Sequence, residues 1–121
     1  MQAIKATNLP HSEADKNNFI LPASMQRILG RDDDLPARLY RVTFGQGSRT
    51  NWHLHNDIQV LFGLSGICLV ANRQGSEILL EPGDVVVIDP GEEHWHGSAP
   101  GEEGEHLAIN LGTDTTWLDK S

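Results

Sequence analysis

The 121-residue chain carries 17 acidic against nine basic side chains, a net charge of −8 at pH 7, and 38% apolar residues. That length holds one hydrophobic core, and the negative balance excludes a nucleic-acid backbone or an anionic bilayer as the main partner. The single cysteine, Cys68, cannot close an internal disulfide; no apolar leader and no apolar run of spanning length is present, so a soluble cytoplasmic protein is expected.

Residues 1–18 are polar and expected to be irregular. "FILPASMQRILG" at 19–30 predicts one or two strands, the first at an edge because Pro22 lacks an N–H to donate. From residue 37 onward, short runs rich in Val, Ile, Leu and aromatics alternate with Gly and Pro punctuation. They are "ARLYRVTF", "NWHLH", "IQVLFGL", "ICLVAN", "SEILL", "DVVVID", "HWHGS" and "HLAINL". No segment past residue 40 holds a helical apolar period, so the spacing predicts an all-β sandwich or small barrel. One domain is expected overall, an N-terminal segment 1–37 with edge strands leading into a barrel over 38–121.

Five of the six histidines fall on these strands. Residues two apart on a strand share a face, so His53 and His55 point together, as do His94 and His96, and His106 with Ala108 and Asn110. Two H-x-H pairs on different strands are a plausible metal site; a lone strand histidine such as His106 more often has a structural hydrogen bond. Trp52 and Trp95 take the opposite face, and outward-facing indoles need cover from the N-terminal segment or a second subunit. Arg41 and Arg49 are expected to be solvated, and the acidic stretch at 100–105 a solvated turn.

The spacing Gly47-x5-His53-x-His55-x3-Gln59-x6-Gly66 resembles the first cupin motif, and Gly83-x5-Asp89-x-Gly91-x2-His94 resembles the second. With flanking strands the resemblance covers about residues 38–112 and implies a jelly-roll β-barrel with one metal inside. Asp89 stands where the second motif usually has proline, and Ser98 where it ends in asparagine. Gln59 replaces the usual carboxylate ligand. Three imidazoles and a neutral amide leave the full charge on a divalent ion, which favours Lewis-acid chemistry over oxidation to the trivalent state.

"DPGEEHWHGSAP" and "EHLAIN", together with H-x-H-x3-Q, resemble small single-domain cupins that include the bacterial manganese-dependent hydroxynitrile lyases and relatives of carboxymuconolactone decarboxylases. That resemblance implies His53, His55, Gln59 and His94 as ligands of a divalent ion, Mn first, with Fe, Zn, Ni or Co also suited. It further implies His106, His96 and Thr50 in catalytic roles, His106 as general base. Tyr40, Val42 and Asn110 would line the substrate pocket, Tyr40 and Asn110 departing from the lyases' usual residues. The implied reaction splits a cyanohydrin into aldehyde and hydrogen cyanide. Alternatives are a cupin dioxygenase, a sugar-directed isomerase, or a small-molecule-binding cupin without catalysis. A homodimer is expected, with a small-molecule substrate, no nucleic acid and no membrane as partners.

Overall fold

The computed structural model describes residues 1–30 and 34–121. The segment assigned to 1–37 therefore includes three positions outside the described residues. Among the described residues, one 3₁₀ turn (Ala6–Asn8) precedes thirteen strands. They are β1 (Ser12–Glu13), β2 (Phe19–Ile20), β3 (Ala23–Leu29), β4 (Arg38–Phe44), β5 (Arg49–Thr50), β6 (His53–His55) and β7 (Gln59–Gly66). There follow β8 (Cys68–Asn72), β9 (Glu77–Leu80), β10 (Val85–Ile88), β11 (His94–Ser98), β12 (Gly104–Asn110) and β13 (Thr115–Trp117). Each of the eight runs read after residue 36 contains a strand, and "FILPASMQRILG" yields two, separated at Leu21–Pro22.

Two antiparallel sheets form among the described residues. One runs β1-β3-β4-β12-β7-β10; the other runs β13-β6-β11-β5-β2, with β8 on β11 and β9 on β8. The N-terminal strands join both sheets. β3 lies inside the first, between β1 and β4, and β2 closes an edge of the second on β5. The stretch before β1 is tied down through Gln26, whose Nε2 donates to the carbonyls of Ala6 at 2.6 Å and Leu9 at 3.3 Å.

Alternation along the strands sets the core. Val42, Phe44, Leu61, Val70, Leu80, Val86, Ile88 and Ala108 point inward from both sheets and pack as one cluster, with buried Cys68 among them. Burial lifts the Cys68 thiol pKa to about 12, so it behaves as a small hydrophobe. Sheet closure requires glycine at Gly97, where a Cβ would lie 2.4 Å from both the Arg49 Cβ and the Ser48 carbonyl oxygen. That lets β5 lie against β11, with Gly97 opposite Arg49.

The indoles find their cover within this chain. The Arg49 guanidinium lies 4.7 Å from the Trp95 ring centre and the Arg73 guanidinium 4.0 Å from that of Trp52. The stretch after β13 completes it: Trp52 N–H donates to the Asp119 carbonyl, Leu118 N–H to that of Trp52, and Arg73 pairs with Glu93 and Asp119. Trp95 is buried, which corrects the expectation that its face needs the N-terminal segment or a partner. Arg49 and Arg41 are likewise engaged rather than simply solvated, Arg41 through Glu105 at 3.0 Å. No helix of the described residues is long and apolar enough to cross a membrane.

Candidate metal centre

The inward faces of β6, β7, β11 and β12 bring the strand histidines together. His53 and His94 face each other in the β6–β11 register, their ring centres 4.2 Å apart, and the His55 ring lies 5.2 and 5.5 Å from those two. His53, His55, Gln59, His94, His96, His106, Thr50 and Asn110 are all buried. Ring nitrogens of His53, His94 and His96 lie within 4.8 Å of one another, a group able to hold a metal ion.

Hydrogen bonds orient three of the imidazoles in the same sense. His53 Nδ1 meets the Asn51 carbonyl at 2.9 Å, His94 Nδ1 the Glu92 carbonyl at 2.8 Å, and His55 Nδ1 the Thr115 hydroxyl at 3.0 Å. A carbonyl only accepts, so His53 and His94 carry their protons on Nδ1 and present bare Nε2 lone pairs inward. His55 Nε2 is buried without a hydrogen-bond partner. Tying Nδ1 to an outer acceptor is how proteins aim metal-ligating histidines.

Gln59 faces this cluster with its carbonyl. Its Nε2 donates to Asn110 Oδ1 at 2.7 Å, and its Oε1 lies 2.9 Å from His94 Nε2. In that arrangement two acceptors meet with no proton between them. Protonating the ring would relieve the opposition, but burial holds His94 down at about pKa 4. Turning the Gln59 and Asn110 amides together relieves it, and so does a cation with the amide as it stands; the unpartnered Nε2 of His55 is open to a cation as well. The donors present therefore fit a divalent ion: His53, His94 and His96 bring ring nitrogens within 4.8 Å of one another, with the His55 ring and the Gln59 amide beside them.

His96 and His106 form a second pair beside the first. His106 Nε2 and His96 Nδ1 are 2.9 Å apart, and the His96 backbone N–H donates to Thr50 Oγ1 at 3.2 Å. Burial is also the main reason that His53 and His96 sit well below the ordinary imidazole range and His106 at about 4. The rings of His96 and His106 rest against Phe44, where the apolar core meets the polar site.

A cavity of about 900 Å³ opens onto this centre, lined by His53, His55, Gln59, His96, Thr50 and the pocket residues Tyr40, Val42 and Asn110. His106 is fully buried and absent from the lining, with His96 between it and the cavity. His106 thus connects to the cavity through its contact with His96. Asn110 does more than line the wall, because it orients Gln59. Sequence reasoning missed Thr115 and Trp117, which line the cavity from β13; the Trp117 ring lies 4.6 Å from that of His53. The alternating "TTW" was the available signal.

These features are those of a metal-binding jelly-roll barrel, and the chain belongs to the cupin domain family, whose model matches residues 40–111. Within that family it is similar to an (R)-mandelonitrile lyase from Granulicella tundricola, 46% identical over 79 residues that cover 64% of this chain and 60% of the relative. It is also similar to an L-ectoine synthase from Vibrio campbellii, 26% identical over 69 residues covering 57% of this chain and 54% of that protein. The chain thus spans less than two thirds of the length of either curated relative. Among solved structures, a cupin-like protein from Thermotoga maritima superimposes with a TM-score of 0.83 at 33% identity, covering 90% of this chain and 85% of that one.

Proposed function

We propose that the protein is a metal-dependent lyase that cleaves cyanohydrins to an aldehyde and hydrogen cyanide. The observation that carries this reading is the convergence of His53, His55 and His94 Nε2 with Gln59 Oε1, beside a separate His96–His106 pair that offers proton transfer. Similarity to a mandelonitrile lyase supports it.

His53, His55, His94 and Gln59 would hold a divalent ion, Mn(II) by resemblance, with Fe, Zn, Ni and Co also suited to the donor set. When bound, such an ion supplies Lewis acidity that lowers the pKa of a substrate hydroxyl. His96 lines the cavity and accepts the hydroxyl proton on Nε2 when its Nδ1–H donates to His106 Nε2. His106 is then a positioning residue that fixes the His96 tautomer and stabilises its charged form. The C–CN bond breaks with its electron pair leaving on cyanide, and the oxygen keeps the carbonyl. Thr50 Oγ1 accepts from the His96 backbone, so its own O–H remains free to hold the departing anion. Return of the proton from His96 gives hydrogen cyanide.

The test is aldehyde release from mandelonitrile by protein stripped of metal and reloaded with Mn(II). Metal-dependent cleavage lost in His53→Ala supports the reading; no cleavage at stoichiometric bound metal overturns it and redirects attention to oxygen uptake. His106→Ala should lower turnover by ~10²–10⁴-fold and move the pH profile, with metal content unchanged.

The expected homodimer rests on a different surface from the indoles. Val85 and Val87 of β10 are more than half exposed and continue through the half-exposed Val60, Phe62, Leu107 and Ile109 across the outer face of the first sheet. An apolar face of this kind suits a second copy of the same sheet. Sedimentation should give a dimer that Val87→Asp converts to monomer. A cytoplasmic location fits the single buried thiol.

A further inference from the structure

We propose that the substrate is an organic acid whose carboxylate binds Arg27 at the mouth of the cavity; this rests on the cavity being the substrate site of the lyase reading. Among the described residues lining the cavity, Arg27 is the one Lys or Arg. Along β3 it stands opposite Tyr40, and its guanidinium lies 5.5 Å from the Tyr40 ring centre. Stacking of that kind fixes the guanidinium plane and leaves its edge free to donate.

Arg27 has no acidic partner within ion-pair distance among the described residues, whereas Arg41 and Arg73 are paired with carboxylates. Among the described residues the one acid in the lining is Asp15, which makes no ion pair with Arg27 and whose Oδ1 accepts the Asn17 backbone N–H at 2.8 Å. In a chain of net charge −8, an exposed cation on the rim of a cavity, without an acidic partner among the described residues, is suited to meet an incoming anion. A single planar fork matches a carboxylate better than a phosphate dianion, which needs more donors.

The remaining lining sets the body of the molecule. Phe19, Met25, Val42, Ala108 and Trp117 offer apolar surface between Arg27 and the histidines. β3 and β7, which carry Arg27 and Gln59, lie three strand spacings apart in the first sheet, roughly 14 Å at ~4.8 Å per spacing. Both side chains line the same cavity, and the body we propose between them is an aromatic ring packed on that apolar lining. The carboxylate is therefore remote from the reacting carbon, not attached to it.

The test compares 4-(hydroxymethyl)benzoate with its methyl ester by calorimetry on the metal-loaded protein. The acid should bind roughly tenfold more tightly than the ester, and the preference should shrink as salt rises. In Arg27→Gln the ratio should fall to near one, with Arg27→Lys intermediate. Equal affinity for acid and ester in the parent protein, no detectable binding of the acid, or an unchanged ratio in Arg27→Gln would overturn the proposal. Cleavage of the cyanohydrins of benzaldehyde and 4-carboxybenzaldehyde is measured alongside. Failure to cleave either while the binding ratio holds would sink the lyase reading and leave the acid-binding role of Arg27 standing.

Discussion

At Gln59 a single amide decides two properties that pull in opposite directions. Its oxygen faces the lone pair of His94, so it serves a cation, but it adds no charge to offset that cation. Gln59→Glu should therefore tighten divalent-ion binding by roughly tenfold or more, as ligand charge count does elsewhere, while slowing mandelonitrile cleavage. Competition with a chelator reads the first and turnover the second; weaker metal retention in the variant would contradict a ligand role. Asn110 can turn its amide to donate to the new carboxylate, so the pocket accommodates the change. His55→Ala should cost metal and also some stability, because it removes the His55 Nδ1 contact with the Thr115 hydroxyl of β13 along with the bare Nε2.

The H-x-H pairs and Gln59 were legible because ligands on one strand obey a two-residue period. Which nitrogen points inward was not, since it depends on carbonyls at Asn51 and Glu92 and on the Thr115 hydroxyl sixty residues downstream of His55. Arg27 was invisible for a similar reason: only pairing with β4 places it over Tyr40. The position of His106 behind His96 likewise depends on two strands meeting.

Among the elements, β11 tolerates no added side chain at Gly97. Gly97→Ala would drive a methyl into Arg49 and the Ser48 carbonyl, forcing β5 away from β11 and disturbing the Thr50–His96 contact. A cost of about 3 kcal/mol or more is expected from such overpacking, read as a lower urea midpoint; a change below about 0.5 kcal/mol would mean that β5 yields freely. Strand existence was largely legible from alternation bounded by glycine and proline. Face assignment held for "HLAIN", where His106, Ala108 and Asn110 are buried. For Trp95 the face was legible but its cover was not, because a distant arginine, Arg49, lies over the outer side. β13 went unread because a three-residue strand carries little pattern of its own, and it is defined by pairing Thr115 with His55 and Trp117 with His53.

For the molecule as a whole, several buried neutral histidines make stability depend on acidity. Their folded-state pKa values lie below the ordinary value of 6.5, near 4 for His94 and His106. Protons bind the unfolded chain first, so the stabilisation is complete above pH 6.5 and is lost as pH falls toward about 4. Metal-free protein should show urea midpoints that drop steeply across that window; a flat profile would mean that the histidines are hydrated. Cys68 acts at the other end. Its folded pKa of about 12 exceeds the ordinary 9.0, so stability is present below pH 9 and declines as pH rises toward 12. Thiol reagents should leave the native protein unmodified at pH 8 and label it on unfolding.

The order of the strands also sets a timetable. β12 pairs with both β4 and β7, so it closes the first sheet by joining segments that leave the ribosome far apart in time. His53, His55 and Gln59 are synthesised well before His94, and the Asn110 and Thr115 that orient Gln59 and His55 come later still. A nascent chain thus exposes two histidines and an unheld amide, a weak and unselective trap for any passing cation, until residues beyond 115 are made. The full set of groups that would choose among metals therefore exists only in the finished barrel.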